Sequence, residues 1–329
     1  MAGRRVGGGR SVGGGENVVV HHVLAAAEGI VHGWFDRDLP PVLTIDPGDS
    51  VTVETLDCWW SAGPLENGQH IPDRPRAAGW EPDAGHALTG PIAVSGVTAG
   101  RTLSVRLAAI TPGTWGTTHT GGPRRLFERY GTADAHTEHR WVLDPAAGMG
   151  FNELGFAVAL RPFLGVLGLA PAEPGRHSTV PPRRVGGNLD CRELVAGSTL
   201  YLPVAVDGGL LSVGDGHAAQ GDGEVGGTAI ECPMQTELSV DIADLRVDTP
   251  VADTPAGWVS MGVAATLDEA SGIALDAMFT LISGWLGLPR GDAVALASVV
   301  VNLHVTQIVN RTVGVHAVLP HDALHRTRP

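Results

Sequence analysis

Residues 186–231, GGNLDCRELVAGSTLYLPVAVDGGLLSVGDGHAAQGDGEVGGTAIE, carry Asn188, Asp190, Glu193, Asp215, His217, Gln220, Asp222, Glu224 and Glu231 among glycines. Charged and amide side chains cost free energy to bury unless they are paired or coordinated. Their density beside apolar stretches therefore points either to a metal or catalytic site or to a set of exposed turns. Asp215 and His217 are two residues apart, as are Asn188 and Asp190, and in extended chain such pairs share one side. Carboxylate oxygens together with an imidazole nitrogen suit zinc or a similar divalent ion. Aspartate and glycine are also what a turn requires, so spacing alone leaves both readings open.

Two short apolar runs, 200–206 and 210–213, flank Asp207-Gly208-Gly209, a pattern that predicts a β-hairpin. Residues 221–226, GDGEVG, formally match a dinucleotide-binding fingerprint. That fingerprint works by opening a helix onto a pyrophosphate. The sequence after it reads as extended chain interrupted by Pro233, which argues against a nucleotide site.

The elements that must position these residues are read from the whole chain. Its 329 residues suffice for one large or two ordinary domains. A net charge of −13 argues against nucleic acid and anionic membrane as partners. All 22 basic residues are arginines. The absence of lysine excludes Schiff bases, a Walker-type phosphate site, and the lysine-dependent nitrilase and Ser-Ser-Lys amidase chemistries. Cys58, Cys191 and Cys232 form an odd set without a close pair, as expected of reduced thiols in the cytoplasm. The start, MAGRRVGGGRSVGGG, has paired arginines but no apolar stretch behind them; a disordered glycine-rich tail over residues 1–16 is expected, neither signal peptide nor anchor.

Strands are predicted over 42–45 and 51–55 around the turn Asp46-Pro47-Gly48-Asp49, with Asp57 closing the second. A long polar loop, 61–85, leads to His86 and a strand at 92–94. Another strand is predicted over 102–110. Residues 111–140 read as a glycine- and arginine-containing stretch whose His119, His136 and His139 are solvated. Residues 161–171 read as a buried strand and turn, 236–242 as a strand, and 244–257 as a loop. Ile273, Ala277, Leu281 and Trp285 recur every four residues and predict a helix ending at Gly287. Asp292 is the expected cap of a second helix, and strands return at 303–309 and 313–319.

The chain resembles the acetamidase/formamidase family from about His32 to Leu319. The most specific passages are GGNLDC at 186–191, LYLPV at 200–204, GDGHAAQGDGE at 214–224 and AIECP at 229–233; the stretch ending at Asp57, GPIAV after His86, PFLGVLGLAP at 162–171 and VTQIVN at 305–310 support them. The resemblance implies a mainly β protein: a jelly-roll-like β-sandwich, here residues 17–242, with a smaller C-terminal α+β part at 243–329. It implies hydrolysis of short amides to a carboxylate and ammonia, dependence on zinc, calcium or another divalent metal, and assembly as a homodimer or a multiple of one. One departure bears on activity and assembly. Where the family commonly has an acidic Glu-Gly-Ala-Glu-Pro-Gly-Asp passage, residues 95–101 read SGVTAGR.

Carried over residue by residue, the resemblance assigns Asp57, His86, Asp190, Asp215 and His217 as metal ligands and Glu231, Asp190 and His217 as catalytic. Glu231 is expected to act as general base. Asn188 and Gln220 are expected to orient substrate or ligands, with Asp222 and Glu224 as further candidates. The chemistry is consistent: a bound divalent ion lowers the pKa of its water to about 7 and polarises a carbonyl, a route that needs no lysine. The alternatives are a non-catalytic metal or small-molecule binder on the same scaffold, and hydrolysis of a larger or cyclic amide.

Overall fold

Burial alternates with period two along Ser50–Thr55 and along Met234–Ala243, which leaves each strand one face to bury. The computed structural model describes residues 19–325 apart from 28, 79, 82, 83, 123 and 124; the tail expected over residues 1–16 lies outside the described residues. The two strands pair in a nine-stranded sheet in the order His21–Leu24, Ser50–Thr55, Met234–Ala243, Thr102–Pro112, Thr199–Pro203, Val251–Thr254, Gly257–Ala264, Thr312–Leu319 and Asn302–Asn310. A second sheet runs Gly186–Asn188, Phe163–Gly168, Leu211–His217, Leu88–Val94 and Val31–His32, with Leu43–Ile45 parallel to Leu88–Val94. The three central strands of this sheet are buried at every residue.

Val51, Val53, Leu103, Val105, Leu200, Leu202 and Leu238 of the first sheet meet Ile92, Leu167, Leu211 and Val213 of the second in one core. The protein is thus a mainly β sandwich with C-terminal helices. Strands after residue 243 extend the nine-stranded sheet, helix Leu267–Leu286 covers them, and helix Arg290–Val300 packs against that helix. Ala270, Ala274, Met278 and Ile282 pack on Val315 and Ala317. The long helix is capped at Thr266, whose side chain accepts from the Glu269 amide, and stops at Gly287, where φ is 64°. The second helix starts one turn earlier than expected: Pro289 is its N-cap, and Asp292 lies in the first turn.

Two other expectations are corrected. Residues 200–206 and 210–213 do not form a hairpin, because Thr199–Pro203 pairs with Thr102–Pro112 and Val251–Thr254 while Leu211–His217 pairs with Phe163–Gly168 and Leu88–Val94. Asp207-Gly208-Gly209 instead carries the chain from one sheet to the other. The glycines report a reversal, but the fully buried Leu200, Leu202, Leu211 and Val213 face one core from opposite sides. Residues 111–140 are not a loop: Trp115–Gly121 pairs with His136–Asp144 in a four-stranded sheet. Polar residues fill these strands because one face is open to solvent, which blurs the apolar period.

Candidate active site

The strand Leu211–His217 changes chemistry along its length. Leu211 and Val213 belong to the core, whereas Asp215 and His217 come together at the other end, with His217 Nε2 3.4 Å from Asp215 Oδ2. The neighbouring strand permits this only through Gly165. A Cβ there would stand 2.5 Å from Asp215 Oδ2, 2.7 Å from His217 Cε1 and 2.9 Å from Asp190 Oδ1. The same residue's carbonyl accepts the amides of Leu189 and Asp190 and so sets Asp190 against the pair. Phe163 closes the side of the imidazole edge-on, with ring centroids 5.1 Å apart.

Glu231 enters on a short bridge between strands. Its amide and carbonyl pair with Thr117, and Ala218 and Cys232 bond to Ile230 and Gly216 on either side. The carboxylate then lies with Oε2 3.2 Å from His217 Nε2 and Oε1 3.0 Å from the Ala229 amide that donates to it. Glu224 completes the cluster from the loop before it. Asp190, Asp215 and Glu224 all have left-handed backbones, with φ of 50°, 58° and 45°. Such conformations cost on the order of 1–3 kcal/mol each for residues other than glycine, and here they coincide with the buried carboxylates.

The cluster is nearly sealed: Asp190, Asp215, His217 and Glu231 are each no more than 3% exposed and Glu224 is 6% exposed. Burial, reinforced by Asp215 and Glu231, pushes the Asp190 carboxyl above its ordinary range despite nearby His217. Burial and Asp190 do the same to Glu224, and burial raises Glu231 against the pull of His217. Asp215 is held low because His217 and His86 outweigh its burial. Burial opposes the charge on His217, but Glu231 and Asp215 together raise it well above the usual imidazole value. Ionising all four carboxylates around one imidazole would leave negative charge uncompensated, which adds to burial in raising three of them.

Among the described residues, Asp190 Oδ1, Glu224 Oε2 and His217 Nδ1 are buried without a hydrogen-bond partner, and His217 Nε2 meets only Glu231 Oε2 and Asp215 Oδ2, at ion-pair distance rather than in well-formed hydrogen bonds. Asp190, His217 and Glu224 each offer a ligand atom within 4.8 Å of the others, and Cys58, Asp215 and Glu231 form a second such group. Orphaned oxygens and an orphaned imidazole around excess negative charge fit a divalent cation.

The cluster floors a cavity of about 350 Å³ walled by Trp59, Trp60 and Trp80. His86, Asn188 and Asn310 line it beside Asp215, Glu224 and Glu231. His86 bonds through Nδ1 to Thr179 Oγ1 at 2.8 Å. Asn188 donates to the Val180 carbonyl and leaves Oδ1 unpartnered. Gln220 donates to the Asp190 carbonyl from behind.

Two expected members stand elsewhere. Both oxygens of Asp57 are already engaged, by the Ser61 amide and hydroxyl and by Arg74 Nη1 at 2.5 Å. The pair holds the turn that presents Cys58, Trp59 and Trp60. Asp222 points away from the cluster and meets His304. Gly165, Cys58 and Asn310, which donates to Asp190 Oδ2, were not singled out from sequence. Gly165 and Asn310 fall in the two supporting passages at 162–171 and 305–310, but nothing in their type distinguishes them from structural residues. Residues 95–101 bond to Ile45, Val204 and Gly208. They follow Leu88–Val94, whose Ile92 lies opposite Leu211 and Leu88 opposite Gly214, so they lie at the far end of the sheet, roughly 20 Å from the cluster at the usual strand rise.

A two-sheet β-sandwich with a carboxylate–imidazole cluster under a small tryptophan-walled cavity defines a class of small-ligand site. The chain belongs to the acetamidase/formamidase family, whose model matches residues 18–178 and 172–256. It is 26% identical over 254 residues to a formamidase of Methylophilus methylotrophus, a match covering 60% of each chain. The chain therefore spans about three fifths of that relative's length. Among solved structures, the acetamidase of Bacillus halodurans superposes with a TM-score of 0.80 at 27% identity, covering 91% of this chain and 97% of the other. That of Yersinia enterocolitica gives 0.81 at 26% identity over 98% and 96%.

Proposed function

We propose that the protein hydrolyses short aliphatic amides such as formamide and acetamide to the carboxylate and ammonia, with a divalent metal, zinc foremost, in the buried cluster. The observation that carries this reading is the convergence of Asp190, Asp215, His217, Glu224 and Glu231 in one buried cluster with unpartnered atoms, of which Asp215, Glu224 and Glu231 reach the wall of a small cavity. The names of the relatives, formamidase and acetamidase, support the same chemistry. Asp190, His217 and Glu224 would hold the metal with Asp215 beside them, and Asp57 is left to its ion pair. When bound, the metal supplies Lewis acidity and a water of lowered pKa.

The rest falls to side chains. Glu231, raised by burial, is matched to taking a proton from water and giving it to the departing amine at neutral pH. Its Oε1 is fixed by the Ala229 amide, so Oε2 is the working oxygen. Asn188 Oδ1, a buried acceptor without a donor, suits the NH₂ of a primary amide. The indoles of Trp59 and Trp60 exclude water and, with so small a cavity, favour a short acyl group. Ammonia release from formamide, acetamide and longer amides tests the reading on metal-loaded protein; silence across the panel overturns it.

The same reading includes a homo-oligomer, most simply a dimer, in the cytoplasm. Val142, Phe151, Leu154 and Phe156 are exposed apolar residues on and beside one antiparallel ribbon, which supports self-association. Three buried free cysteines support a reducing compartment. A monomer mass by light scattering at micromolar concentration would overturn the assembly.

A further inference from the structure

On the far side of the loop that supplies Glu224, a second set of metal-ligating side chains meets. His304 and His316 sit directly opposite each other on paired strands, their rings parallel within 6° and 5.0 Å apart. Asp222 reaches them from the loop, with Oδ2 3.1 Å from His304 Nδ1. One ligand atom from each of the three lies within 4.8 Å of the others. His316 is fully buried, and its Nε2 has no hydrogen-bond partner. Its other nitrogen is held by Thr306 Oγ1 at 2.8 Å. An imidazole so anchored keeps its orientation and offers the free nitrogen for coordination.

We infer that Asp222, His304 and His316 form a second divalent transition-metal site, zinc being the best fit, separate from the cavity cluster. Two imidazoles and one carboxylate are a borderline donor set that hard cations such as magnesium or calcium do not favour. The side chains of His304 and Asp222 are 38% and 32% exposed, so an ion can enter from solvent and keep water in a fourth position. Tetrahedral zinc spaces its ligand atoms by roughly 3.3 Å, and the present separations, all within 4.8 Å, can close to that by movement of the two side chains at the surface.

The site has a structural consequence. Gly223 bridges to Gln307, its amide bonds the Thr306 carbonyl, and its own carbonyl accepts from Ile308. The loop is thus stapled to the strand that carries His304, with Asp222 on one side of Gly223 and Glu224 on the other. Metal bound to Asp222 and the two histidines would fasten the loop that presents Glu224 to the cavity.

Zinc titration by calorimetry, with bound metal counted by elemental analysis, tests this. The proteins are wild type, Asp222→Asn with His304→Ala, and His217→Ala. The double variant removes only surface ligands, so it should fold, which circular dichroism checks. Wild type should hold one zinc equivalent more than the double variant, or bind that equivalent at least about tenfold more tightly. His217→Ala should retain it, which separates this site from the cavity. Hydrogen exchange at residues 221–227 should slow on zinc addition in wild type and His217→Ala but not in the double variant. Equal zinc stoichiometry and affinity in wild type and a folded double variant would overturn the assignment, as would loss of the equivalent in His217→Ala.

Discussion

Asp57 and Glu231 are both buried carboxylates, at 0% and 2% exposure, and burial raises the pKa of both, but the structure meets their oxygens in opposite ways. Both oxygens of Asp57 are hydrogen-bonded: Ser61 donates twice, and Arg74 Nη1 completes a buried ion pair, although Arg74 Nε and Nη2 have no partner among the described residues. Around Glu231 the account stays open. One oxygen is held by a backbone amide, the other has no hydrogen bond, and the nearest imidazole is shared with Asp215. Burial and charge alone do not mark a functional site, since both residues have them. What differs is satisfaction of the carboxylate, because one with both oxygens bonded fixes structure whereas one with an open oxygen is poised for a ligand or a proton.

That contrast predicts opposite outcomes from removing charge. Glu231→Gln should lower kcat on the best short amide by about 10²–10⁴-fold, the range for loss of a general acid–base group, with a melting temperature no lower than wild type because it relieves like-charge crowding. Asp57→Ala should cost about 3–5 kcal/mol of stability, the penalty of stranding a buried guanidinium, read from denaturant melts. If Glu231→Gln unfolds the protein while Asp57→Ala melts normally and loses activity, the roles are reversed and the comparison fails.

A smaller loss is expected at Gly165. Alanine there forces Asp215, His217 or Asp190 aside by a fraction of an ångström to an ångström, and displacement of that order costs about 100-fold in rate. The local backbone should tolerate the change, so circular dichroism should remain native while kcat falls. An alanine variant with full activity would show that the three side chains are not used in the arrangement described.

How much of this could be read beforehand depends on what carries each feature. Alternation along 51–55 and 102–110, and the four-residue recurrence from Ile273 to Trp285, predicted elements that the structure contains, because burial on one face imposes a period. The pairing of Asp215 with His217 was legible for the same reason: two residues apart on a strand is one side. Fate across the sandwich was not legible. Nothing local to Asp57 reveals that Arg74 reaches it, and nothing local to Asp222 turns it outward to His304. Residues 200–213 show the same limit, since a glycine turn specifies a reversal but not the sheet that receives the next strand. Gly165 was hidden because its role is the absence of a side chain.

The finest test of the contrast compares two imidazoles. Burial opposes a charge on His217, but its carboxylates raise it well above the usual imidazole value, whereas burial lowers the pKa of His32 from 6.5 to about 4, against an opposing contribution from a backbone bond at Trp34. His32 meets Ser212 Oγ at 3.1 Å through Nε2, and among the described residues no carboxylate contributes to stabilising a charge on it. Between the two pKa values the unfolded chain binds a proton that the folded chain refuses. Stability from this residue is therefore complete above pH 6.5 and is lost as the pH falls through 4. A shift of this size corresponds to at most about 3 kcal/mol. The stability difference between wild type and His32→Gln should favour wild type most near neutral pH and shrink or change sign toward about pH 4, measured by denaturant melts across that range. A difference that stays constant with pH would mean that the fold leaves the His32 pKa where the unfolded chain has it, and one that grows toward acid would mean that the fold favours a charge there as it does at His217.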